Sequence, residues 1–71
     1  MSARDEVAAK LRVAAKALES ASRHCQIAAS HAEIGEIPRM AAHVLATHGD
    51  MVSARDELDD IARLHADHAE T

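Results

Sequence analysis

Ile34-Gly35-Glu36-Ile37-Pro38 lies between two long runs of helix-forming residues, and how it is read decides the fold. Gly35 suits the position just past a helix end, where the chain turns into the left-handed region that a side chain disfavours. Pro38 suits a first helical turn, where the missing N–H leaves no bond unmade. Together they predict a tight reversal over residues 35–37. Upstream, residues 3–34 contain neither glycine nor proline and are rich in alanine, the strongest helix former. Ser2 is a natural N-cap, Asp5 occupies the capping-box position three residues on, and Glu6 adds negative charge to the first turn. A first helix over about 3–34 and a second over about 38–69 follow.

Apolar spacing sets how the two helices meet. In the first, Val7, Leu11, Ala14, Leu18, Ala21, Cys25, Ala28 and Ala32 alternate steps of four and three; in the second, Met40, Val44, Thr47, Met51, Ala54, Leu58, Ile61 and His65 do the same. That alternation is a coiled-coil seam. Folding the chain back at residue 36 opposes an alanine to a larger side chain in most layers, and it sets Arg12 near Asp60 and Lys16 near Asp56. The expected fold class is therefore all-α: one antiparallel two-helix hairpin spanning residues 1–71. The rival is a three-helix arrangement broken near Gly49, supported by the recurrence of Ser2-Ala3-Arg4-Asp5-Glu6 as Ser53-Ala54-Arg55-Asp56-Glu57.

A chain of 71 residues with no aromatic residue and only 13 Leu, Ile and Val builds a thin core, so something must supplement it. A disulfide cannot, because Cys25 is the sole cysteine. Association can. Val13, Ala17, Ile27 and Ile34 form a stripe off the seam on the first helix, and Leu45 and Val52 do so on the second. These six are the candidate interaction residues. The expected partners are a second copy, making a homodimeric four-helix bundle, or the helices of another protein.

The function that follows is a small non-enzymatic protein–protein interaction or regulatory module. Net charge is −4 with histidines neutral, which opposes binding to nucleic acid or to an anionic membrane. The N-terminus reaches Asp5 and Glu6 at once, with no apolar run of signal-peptide or membrane-spanning length, so a cytoplasmic chain is expected. No catalytic residue, cofactor, metal or small-molecule substrate is expected, for want of a phosphate loop, an aromatic platform, a Cys-x-x-Cys pair or a His-Glu-x-x-His pair.

Two alternatives carry particular residues. Six histidines are the one compositional anomaly, and His24, His31 and His43 with Asp50 fall on one side of the hairpin, His31 nearest His43 and His24 nearest Asp50. These are ligand types that zinc accepts, but two contacts two turns apart read as separate hydrogen-bonded pairs. His65 and His68 near the C-terminus suit the helix dipole. Arg12, Lys16 and Arg23 make a modest basic stripe of the kind an RNA- or DNA-binding hairpin dimer uses, interrupted by Glu19. Cys25 at the seam opposite Thr47 reads as a small buried hydrophobe rather than a nucleophile, since His24 beside it points about 100° away.

Overall fold

The computed structural model describes residues 2–69, and the side chains of residues 2–67. Two helices, α1 (Ala3–Glu33) and α2 (Ile37–Ala69), pack against each other along their length in a rod of 56 × 16 × 13 Å. Among the described residues there is no strand. His68, expected near the helix dipole's negative end, lies outside the described side chains.

Local chemistry sets both ends of α1. Ser2 is extended and its Oγ accepts from the Asp5 N–H at 3.1 Å. At the other end the Glu36 N–H donates to His31 O at 2.9 Å and the Gly35 N–H to Ala32 O at 3.1 Å, with Gly35 at φ +77°. These paired bonds satisfy carbonyls that would otherwise be orphaned at the helix end. An apolar contact commonly joins the two residues at the ends of the longer bond. Here His31 Nδ1 stands 3.5 Å from Glu36 Oε1 instead. The Glu36 carbonyl then accepts from the Met40 N–H at 3.0 Å and opens α2, which begins one residue earlier than Pro38.

α2 runs unbroken through Gly49, so the three-helix alternative does not hold. A glycine inside a helix costs about 1 kcal/mol against alanine, which the packed length of α2 absorbs.

Alanines make the line of contact. Ala14, Ala21 and Ala28 on α1 and Ala54 on α2 are the buried residues, at 2–6% exposure. Such small side chains bring the helix axes close. Among the half-buried residues, Val7, Lys10, Ala17, His24 and His31 on α1 and Met40, His43, Thr47, Asp50, Glu57, Ile61 and Leu64 on α2 mark the side of each helix that faces the other.

Half of the expected seam is thereby corrected. Val7, Ala14, Ala21, Ala28, Met40, Thr47, Ala54 and Ile61 face inward as read. The intervening layers are Lys10, Ala17, His24 and His31 rather than Leu11, Leu18, Cys25 and Ala32, and His43, Asp50, Glu57 and Leu64 rather than Val44, Met51, Leu58 and His65. Both choices share the alanines, so the alternation of three and four allows either.

The two glycines make opposite predictions. A Cβ at Gly49 would meet nothing within 4 Å, whereas Gly35 sits at positive φ. Gly49→Ala is expected to stabilise the hairpin by about 1 kcal/mol and Gly35→Ala to destabilise it by about 1–2 kcal/mol. At roughly 4–8 °C per kcal/mol these are shifts of opposite sign in a thermal melt. Shifts of the same sign would contradict the turn described here.

Candidate functional site

The packing splits the hairpin into two unlike edges. On α1, the residues three before or four after each central alanine (Leu11, Leu18, Cys25) fall on one side of the contact line, and those four before or three after it (Lys10, Ala17, His24, His31) on the other. One side carries polar groups, with Val13, Ile27 and Ile34 exposed beyond them, and the other carries apolar ones.

The polar edge is a ladder of charges and imidazoles. At its open end Lys10 Nζ lies 3.3 Å from Asp60 Oδ2 and 3.6 Å from Glu57 Oε2, its aliphatic stem lying half-buried along the contact. Asp60 also accepts from Arg63. The Asp60 carboxyl is held below its ordinary value, first by the Arg63 hydrogen bond and then by that of Lys10, while the hydrogen bond to Asp60 raises Lys10. Further toward the turn, His24 Nδ1 and His43 Nδ1 are 2.8 Å apart, so one ring donates and the other accepts. His31 stacks on His43 with centroids 5.5 Å apart. Glu36, which His31 approaches at ion-pair distance without a hydrogen bond, is bridged by Arg39 at 3.0 Å.

This edge differs from expectation in its partners. Asp60 takes Lys10 and Arg63 rather than Arg12, and Asp56 lies 4.0 Å from its neighbour Arg55 rather than beside Lys16. His24 meets His43 rather than Asp50. Asp50 is half-buried, and its Oδ2 is buried without a hydrogen-bond partner among the described residues. Within the described residues no group of three or more His, Cys, Asp or Glu side chains is arranged to hold a metal ion. Arg12, Lys16 and Arg23 are exposed, as is Glu19 between them.

The other edge is a continuous apolar face. Leu11, Leu18 and Cys25 on α1 and Val44, Met51 and Leu58 on α2 line it, the five large side chains 39–49% exposed. Cys25 is exposed rather than buried, with Sγ 3.9 Å from Thr47 Oγ1, whose hydroxyl donates to the His43 carbonyl at 2.9 Å. Near the turn the face hollows into a groove of about 300 Å³, floored by Cys25, Ala28 and Ala32 and walled by Met40, Val44 and Thr47. The sequence named most of these residues, but for the wrong place, as the interior of the hairpin.

The expected interaction residues fall elsewhere. Val13, Ile27 and Ile34 are exposed on the polar edge, three residues after Lys10, His24 and His31. Ala17 is half-buried between the helices rather than on a free flank. Leu45 and Val52 are exposed on the outside of α2, Leu45 at 72%. These six do not gather into one surface, whereas the seam residues displaced from the interior do.

No helix is long and apolar enough to cross a membrane among the described residues. No family model, no curated protein and no solved structure matches the chain.

Two predictions test the polar edge. An unpartnered buried carboxylate oxygen costs about 1–3 kcal/mol, and alanine is the better helix former. Asp50→Ala is therefore expected to raise the melting temperature, by several degrees at this chain length; a lower one would show that Asp50 has a stabilising partner. Because folding depresses the Asp60 carboxyl, its contribution is present above the ordinary value of 3.8 and is lost as pH falls below it. Melts at pH 6 and pH 3 should then differ more in the wild type than in Asp60→Asn, and equal differences would remove Asp60 from the acid response.

Proposed function

We propose that the protein is a non-enzymatic interaction module that associates with itself through the face of Leu11, Leu18, Cys25, Val44, Met51 and Leu58, giving a four-helix bundle. The carrying observation is that face. It runs along both helices, contains five large apolar side chains 39–49% exposed, and lies on the side of the contact line away from the charged ladder. Exposed apolar patches of this continuity mark interaction sites rather than ordinary surface.

The amount of surface agrees. The chain exposes 5213 Å², against about 4300 Å² for a compact monomer of 7.6 kDa by the usual scaling with mass. The excess of about 900 Å² reflects the elongated rod, which covers little of its own apolar surface. A second hairpin laid on the apolar face supplies the layer of packed side chains that the alanine contact line lacks. The charged ladder stays at the wet margin, where ion pairs need no desolvation. The work of such a module is done by excluded apolar area and shape, with no reacting group required.

Light scattering on the purified chain tests this, with the mass of two chains expected at micromolar concentration. Leu18→Glu and Met51→Glu each place a carboxylate in the face and are expected to weaken association at least tenfold, read as a rise in the midpoint of dissociation. Val13→Glu, on the polar edge, is expected to leave it unchanged. A wild-type monomer would overturn the proposal, and an effect at Val13 without one at Leu18 or Met51 would move the interface to the other edge.

A further inference from the structure

The turn end of the polar edge gathers three imidazoles, and the way two of them face each other decides what they can do. His24 on α1 and His43 on α2 have their Nδ1 atoms 2.8 Å apart and their ring centroids 5.1 Å apart. The difference between these distances is as large as two imidazole radii allow, so the rings meet head-on, nitrogen to nitrogen. An N–H···N bond of this kind needs one nitrogen that carries a proton and one that does not. A proton added to the far nitrogen of the donor ring keeps the bond. A proton added to the accepting nitrogen ends it, and two N–H groups of like charge then point at each other. The pair accordingly accommodates one positive charge and not two.

The surroundings supply little to offset a second charge. On α1, His31 stacks on His43 with centroids 5.5 Å apart, so a charge on His31 adds to the repulsion. In the turn, Glu36 Oε1 lies 3.5 Å from His31 Nδ1, but Arg39 on α2 already bridges this carboxylate at 3.0 Å. Asp50 stands seven residues along α2 from His43, about 10 Å away at 1.5 Å per residue. Thr47, between them, commits its hydroxyl proton to the His43 carbonyl. Arg23 and Glu33, the other charged residues at this end of α1, are exposed. With all three rings charged, the contact would set the cations His24, His31, His43 and Arg39 around the single carboxylate of Glu36.

We propose that the His24–His43 pair is a proton-sensitive latch, which holds the turn ends of α1 and α2 together while one ring is neutral and releases them when both are charged. The latch acts within one chain and is independent of the association proposed above. Linkage fixes its sign. The unfolded chain charges every imidazole below the ordinary histidine value of ~6.5. The folded pair takes up one proton fewer, so its contribution is present above that value and is lost as pH falls below it. His31 works in the opposite sense, because its charge gains Glu36, and it offsets part of the loss. The open end keeps its charges further into acid, since Arg63 and then Lys10 hold the Asp60 carboxyl below 3.8. Acid therefore loosens the hairpin from the turn first. Cys25 and Val44, next in sequence to the pair, line the groove of the apolar face, so loosening here also alters that groove.

Thermal melts at pH 7.5 and pH 5.0, at one protein concentration, read the latch. His24→Gln and His43→Gln keep a polar side chain that takes no charge, and each should lose fewer degrees between the two pH values than the wild type does, by several degrees at this chain length. His31→Gln, which removes the offset, should lose more. His48→Gln, at an exposed histidine, should match the wild type. Amide exchange on the wild type gives a second reading that needs no substitution. Protection factors around His43 should fall between pH 7.5 and pH 5.0 relative to those around Glu57. Loss confined to the turn end, and relieved at positions 24 and 43, supports the latch. Equal losses in the wild type, His24→Gln and His43→Gln overturn it, as does protection that falls evenly along α2. If both variants fail to fold, the exchange reading decides alone.

Discussion

Close approach of two helices over a line of alanines is the constraint on which this structure depends. Ala14, Ala21, Ala28 and Ala54 leave no room between the axes for a second row of bulky side chains. Beside them lie small Ala17, the stem of Lys10 and, nearer the ends, Val7, Met40, Ile61 and Leu64, all half-buried. The hairpin therefore leaves Leu11, Leu18 and Leu58 about half exposed on its flank. In a larger domain these residues would form the core; here they line the outside.

That packing gives the rod its two characters. On one edge, flexible and polar groups settle into pairs that need little depth: Lys10 with Glu57 and Asp60, His24 with His43, Arg39 with Glu36. Exposed pairs of this kind contribute modestly, and they favour a register more than they hold a fold. On the other edge the large apolar side chains keep 39–49% of their surface exposed. Surface and stability point the same way, because a molecule with so little interior gains most from covering the area it leaves bare.

The turn carries more than connectivity. Gly35 takes the conformation that closes α1, while Glu36 serves both helices: its N–H bonds the end of one and its carbonyl starts the other. Its carboxylate also sits between His31 and Arg39. One residue thus ties helix termination, helix initiation and the last rung of the polar ladder together.

The amino-acid sequence alone determined the helices, their caps and the reversal, because these depend on neighbours within four residues: Ser2 with Asp5, Gly35 after Glu33, Pro38 in a first turn. It also determined half the seam, the heptad that Val7, Ala14, Ala21 and Ala28 share. Whether Leu18 or Ala17 turns inward was not legible, since steps of three and of four from Ala14 are equally compatible with a helix. That choice belongs to the distance between the axes, a property of both helices at once, and so did the partners of Asp60, His24 and Asp50. Only the tertiary structure decided that the apolar stripe lies outside.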